Sequence, residues 1–295
     1  MVILDEVTSL EVVNAARDKM GFLGFHAACS DFNQNDDESF SSLEVGFISR
    51  LPLENVVEFV VTPDNTGAPG EPAERELERV DLERVAPDVN PSRGFLTADV
   101  PALGVTIVGT HLKSSGRGEE RRNAKKREFV AAAMARFVAG KIAANQAATV
   151  LVAGDMNVGE TDRSKNGFRL DEDHDNGAEG DLYDDTHAIF SSGLVNGLHM
   201  ASLTKAIGSE TYDDPQFAGS GPIDCIYVVG RQAFDFTLAK RTSESFGSDH
   251  FAVSTRFLFS GTSPIPEPVP EDSDSSNGHV SSGTGRRLRV GEAEE

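Results

Sequence analysis

The feature that most constrains this chain is a set of short apolar runs that each stop on a polar residue. Residues 149–153, Thr-Val-Leu-Val-Ala, form a run of strand length that passes directly into Gly154-Asp155-Met156-Asn157. Residues 105–110 form another, ending at His111. Residues 223–229 enclose a carboxylate, Asp224, and residues 251–257 follow directly on Ser248-Asp249-His250. Further strand-length runs occupy 45–49, 56–61 and 95–100. Helical spacing appears at 9–20, where Leu10, Val13 and Ala16 share a face, and again at 119–142. Strands that first succeed one another and later mix with helices predict a layered α+β or α/β domain, not a purely parallel sheet. A chain of 295 residues is long enough for a sizeable core.

Two boundaries follow from composition. Residues 261–295 are rich in Pro, Ser, Gly and acid and lack hydrophobic periodicity. Such a segment cannot bury enough apolar area to offset the entropy of ordering, so a disordered tail is expected there, after a folded domain over 1–260. The stretches 62–93 and 160–185 read as long polar loops. Within the second, Asp171-Glu172-Asp173-His174-Asp175 resembles the opening of a calcium loop. Asn176 stands where that loop needs Gly, however, and Leu182 where it needs a bidentate Glu, so a solvated acidic loop is the better reading. No run has the apolar length of a membrane helix. Cys29 and Cys225 are too few for a disulfide framework or a zinc knuckle, and they read as buried thiols.

The formal net charge of −21 argues against nucleic-acid binding by the protein surface as a whole, because that affinity comes from neutralising phosphates. What matters for an anionic substrate is the local field. One basic island stands out: Lys113, Arg117, Arg121, Arg122, Lys125, Lys126 and Arg127. A solvated helix face with i,i+4 ion pairs explains its later members. Lys113 and Arg117 precede the helix and suit a phosphate-binding rim better.

The polar ends of the runs carry the candidate chemistry. Alternation places Asp155 and Asn157 on one side of an extended chain, where a carboxylate can take a proton from water while the amide fixes that water or a phosphate oxygen. A plain turn is the competing reading, since Gly, Asp and Asn all favour turns. Asp224 is costly inside an apolar strand unless paired, and the expected partner is a histidine held in one tautomer. Asp249 suits a hard cation, and His250 a phosphate oxygen. Glu6 ends the apolar run 2–4 just before a helix and has an adequate alternative role as a helix-start residue.

Taken in order, Glu6, His111-Leu112-Lys113-Ser114, Gly154-Asp155-Met156-Asn157, Ile223-Asp224-Cys225-Ile226 and Ser248-Asp249-His250 resemble the signatures of the endonuclease/exonuclease/phosphatase (deoxyribonuclease I-like) superfamily. Arg50-Leu51-Pro52 resembles its Ser-Arg-x-Pro strand. The match spans residues 2–258. The resemblance implies a four-layered α/β/β/α sandwich of two mixed sheets flanked by helices, and hydrolysis of a phosphodiester assisted by Mg²⁺ or Mn²⁺. It also implies roles. Glu6 and Asp249 would serve the metal, while Asp155 and Asn157 would activate and position water. His250, oriented by Asp224, would contact the phosphate, and His111 would act near the leaving group. Lys113 and Arg117 would bind the phosphate-ester substrate, nucleic acid being one candidate.

The family's first strand, which bears an Asn, has no counterpart in the five residues before Glu6. The resemblance therefore implies a truncated chain with weak or no activity as it stands. Two alternatives remain: a phosphomonoesterase acting on a small phosphorylated molecule or lipid head group, and a catalytically inactive binding domain.

Overall fold

The computed structural model describes residues 1–30, 44–60, 93–114, 120–145, 148–159, 184–193, 195–213, 221–230, 234–236, 239–245 and 247–259. Arg117, the calcium-loop-like segment and residues 261–295 lie outside the described residues.

Two sheets lie face to face. The first has the order β1 (Val2–Val7), β3 (Glu44–Ser49), β2 (His26–Cys29), all antiparallel. The second is mixed, with the order β4 (Glu54–Val60), β5 (Gly94–Val100), β6 (Val105–His111), β7 (Thr149–Asp155), β9 (Asp224–Gly230), β8 (Ala201–Ser202). Within it β6 and β7 run parallel and the remaining neighbours are antiparallel. The parallel pair is joined through the long helix α2 (Glu120–Ala144), as a parallel crossover requires. Two short antiparallel pairs complete the strands: β10 (Phe234–Phe236) with β13 (Phe257–Phe259), and β11 (Lys240–Arg241) with β12 (Val253–Ser254).

Helix α1 (Leu10–Lys19) covers the first sheet, with Val13 fully buried against Val7, Ala27 and Ile48. It starts where Ser9 accepts the Val12 N–H through its hydroxyl, an N-cap that the residue type favours. Helices α2 and α3 (Thr186–Ser191) cover the outer face of the second sheet through Phe129, Met134, Val138 and Phe190. Between the sheets lie Val45, Phe47, Leu96, Ile107, Leu151 and Val228. Each fully buried side chain of this kind contributes roughly 1.5–3 kcal/mol. The result is helix, sheet, sheet, helix: the four-layered α+β sandwich expected from the sequence.

The elements differ in detail from expectation. Residues 251–257 form no single strand; Thr255 and Arg256 separate β12 from β13. Strand β2 carries no period-2 pattern of its own, because Ala27, Ala28 and Cys29 are buried in succession between α1 and the inter-sheet layer. Arg127, part of the basic island in the sequence, is fully buried. Its guanidinium bonds the Asp184 carboxylate at 2.8 and 2.5 Å and the Lys113 carbonyl at 2.7 Å. It ties α2 to the end of β6 and contributes no surface charge.

Candidate active site

Register builds the site. In β6 and β7 His111 stands beside Asp155, and in β7 and β9 Asp155 stands beside Asp224. All three share the strand face of Ile107, Leu151 and Val228, which looks toward the other sheet. They therefore sit in a row at one end of the inter-sheet layer. Gly154 makes this possible. Its φ is +145°, and a Cβ there would lie 1.8 Å from the Thr110 carbonyl oxygen, so only glycine lets β6 and β7 close at this point.

Asp155 is the hub, with 4 % of its surface exposed. Its carboxylate accepts the Asn157 main-chain N–H at 2.7 Å and the Asn157 side-chain amide at 2.8 Å. Asn157 has φ +54°, a left-handed conformation that Asn tolerates, and its amide also donates to the Leu112 carbonyl at 2.9 Å. His111 Nε2 lies 3.5 Å from the Asp155 carboxylate on one side, and His250 Nε2 lies 4.0 Å from it on the other. His250 Nδ1 is 2.9 Å from Asp224.

The first sheet delivers two more carboxylates. A register irregularity between Leu4 and Val7, with Glu6 at φ +60°, bulges β1 at this point. Asp5 consequently points inward and accepts the Asp155 N–H at 2.9 Å, while Glu6 stays exposed with its carboxylate 3.9 Å from His111 Nε2. Sequence reading singled out Glu6 and passed over Asp5, because an acidic pair at a strand end does not show which member turns inward.

The charge states divide the site. Burial lowers His111 to about 2, with Arg93, His250 and Lys113 acting in the same direction, so this imidazole is neutral. Burial also opposes charge on His250, but the hydrogen bond and charge of Asp224, with Asp155 and Asp249, outweigh it and hold the ring up at about 9. Burial and the Asp224 charge raise Asp5 to about 7. Burial, then Asp224 and Asp5, push Asp155 well above the ordinary carboxylate range.

An open cavity of about 970 Å³ runs from this cluster between the sheets. Asp5, Glu6, Asp155, Asp224, Asp249 and His250 are among its polar lining, and its apolar walls include side chains of β1, β6, β7, β9 and β12. Among the described residues no three His, Cys, Asp or Glu side chains are gathered tightly enough to enclose a metal ion. That arrangement still fits magnesium, which keeps much of its own water and needs only one or two carboxylates. The buried Asp5 Oδ1 has no hydrogen-bond partner, and the crowded carboxylates favour a cation.

Three contributors carried no sequence motif. Thr211, fully buried, accepts the Ile223 and Asp224 N–H groups through its hydroxyl and the Phe251 N–H through its carbonyl. Tyr212 pairs with His250 in an isolated bridge and sets its ring edge-on to the imidazole at 5.0 Å. Arg93 precedes β5 and is nearly buried. Lys113 lies two residues beyond the end of β6 and is half-buried.

The arrangement of layers is shared with solved structures. The human Nocturnin catalytic domain, solved with a bound sulfate anion, matches over 87 % of this chain and 80 % of its own at TM-score 0.51 and 14 % identity. Staphylococcus aureus beta toxin matches over 86 % of this chain and 85 % of its own at the same TM-score and identity. The chain has the fold of the endonuclease/exonuclease/phosphatase superfamily. No protein-family model and no curated protein matches the sequence. The likeness to these solved structures is one of fold, at 14 % identity.

Proposed function

We propose that the chain is a divalent-metal-dependent phosphoester hydrolase, nuclease-like in favouring phosphodiesters. The observation that carries this reading is the meeting of Glu6, His111, Asp155, Asn157, Asp224 and His250 at one end of the inter-sheet layer, although they are scattered over the sequence. The sulfate bound by the Nocturnin domain supports an anion-binding role for the shared fold.

Asp155 is the base that positions and deprotonates the attacking water, and Asn157 holds its carboxylate from two directions. His250, cationic through Asp224, donates to a phosphoryl oxygen and stabilises charge as it develops there. Neutral His111 has Nε2 directed at the carboxylates and serves the leaving-group side. Glu6, with Asp249, would hold Mg²⁺ or Mn²⁺, which when bound neutralises phosphoryl charge. Lys113 and Arg117 would extend binding along the substrate.

The test is Mg²⁺-dependent hydrolysis of bis(p-nitrophenyl) phosphate and of plasmid DNA by the purified chain. Activity abolished by chelator and by Asp155→Ala supports the reading. Hydrolysis of p-nitrophenyl phosphate alone would favour a phosphomonoesterase, and no hydrolysis of any of the three would favour an inactive binding domain.

A further inference from the structure

We propose that Arg93 is a positioning residue of this site: its guanidinium clamps the end of β6 and thereby keeps His111 and Asn157 facing Asp155. The proposal rests on the hydrolase reading for its kinetic consequence, but not for its structural one.

The end of β6 leaves main-chain carbonyls without ladder partners in β5. The β5–β6 ladder runs from Val100 opposite Val105 to Phe95 opposite Thr110, so the His111 and Leu112 carbonyls lie past its last pair. Buried carbonyls need donors. Arg93, just outside β5 and 8 % exposed, supplies them. Its Nη1 donates to the His111 carbonyl at 3.1 Å and also to the Leu112 carbonyl. Leu112 is the junction of the site. Its carbonyl also accepts the Asn157 amide, and its N–H donates to the Asp155 carbonyl at 2.8 Å. A single main-chain unit therefore links Arg93 to the hub, the amide and the buried histidine.

Charge adds a second reason for an arginine. Burial lowers Arg93 below the ordinary guanidinium range, and the carboxylates of Asp155, Glu6, Asp5 and Glu44 oppose it, so the site keeps an internal cation. A lysine would keep the charge, but its ammonium is strongly hydrated and sits on a flexible stem, so it would hold the two carbonyls less rigidly than Arg93 Nη1 does. Misplacement of catalytic groups by about 1 Å can cost about 10²-fold in rate.

The experiment compares the full chain with its Arg93→Met and Arg93→Lys variants, at a temperature where circular dichroism shows all three folded. The first readout is independent of activity: proton exchange of the Asn157 side-chain amide, followed by NMR in asparagine-labelled protein and identified by its loss in Asn157→Ser. Protection present in the parent and lost in Arg93→Met is the expected result. The second is Mg²⁺-dependent hydrolysis of bis(p-nitrophenyl) phosphate. Here kcat falls about 10- to 100-fold in Arg93→Met with KM within about twofold, and Arg93→Lys recovers part of kcat.

An unchanged Asn157 amide, or a kcat loss that only tracks the folded fraction, overturns the proposal. A parent chain that hydrolyses nothing defeats the hydrolase reading, and the amide measurement still decides the role of Arg93. Should Arg93→Met fail to fold, Arg93→Lys carries both readouts, with Asn157 protection and kcat both expected below the parent's, and parental values of both overturning the clamp.

Discussion

Two histidines flank Asp155, and the regions that hold them are built on opposite principles. His111 ends a central strand, with 3 % of its side chain exposed and Nδ1 buried without a hydrogen-bond partner. His250 sits in the turn before β12, with 26 % of its side chain exposed and a carboxylate 2.9 Å away. Burial, reinforced by the positive charge of Arg93, keeps the first neutral, whereas a hydrogen-bonded carboxylate overrides burial and keeps the second cationic. One residue type thus supplies two protonation states on either side of one carboxylate. The same pair differs in support. The His111 side is held by main-chain ladders and by Arg93, whereas the His250 side hangs on Asp224, Thr211 and Tyr212.

The comparison can be broken at several points. The largest effect is expected at the shared hub. Asp155→Asn should lower kcat roughly 10²- to 10⁴-fold, because the base is removed while the shape is kept; steady-state hydrolysis at saturating Mg²⁺ measures it. Next comes Asp224→Asn. On the proposed reading protonated His250 would support activity up to about pH 9 in the parent, so in the variant the alkaline limb of the pH–rate profile should move toward the ordinary histidine value near 6.5. At pH 8 the rate should then fall about tenfold or more, and an unmoved limb would show that His250 does not depend on Asp224.

A smaller, purely thermodynamic effect is expected at His111. Its folded value lies below its unfolded one, so between pH 6.5 and 2 the unfolded chain binds the extra proton and stability falls as pH falls. Relative to His111→Gln, the parent should lose up to about 1.4 kcal/mol per pH unit below 6.5, as read from urea unfolding at pH 7, 6 and 5. Equal slopes would mean that the imidazole is not buried neutral. Thr211→Val should cost about 1–3 kcal/mol by orphaning the Ile223 and Asp224 N–H groups, and should lower activity less than Asp224→Asn does. Thermal unfolding alongside kcat separates the two effects.

Much of the fold could be read from the sequence, because β-branched runs and amphipathic spacing are local signals. The long helix 119–142 and the strand at 149–153 needed only periodicity. Strand β2 escaped because it is buried on both faces and alternation vanishes there. Arg127 misled because its charge is cancelled by Asp184, which lies 57 positions away in sequence. Arg93 escaped because its bonds go to main-chain carbonyls, which leave no mark in a motif.

By itself, then, the sequence determined the polar side chains at and just beyond the apolar runs: His111, Asp155 with Asn157, Asp224, and the Asp249-His250 pair. Those choices are written one residue at a time, since a strand's polarity pattern is set by its own residues. Only the tertiary structure decided that three of those strand ends lie in register, that Asp5 turns inward where Glu6 does not, and that one histidine is neutral and the other charged. Protonation and orientation depend on burial and on partners far away in the chain, and neither exists until the sheets close.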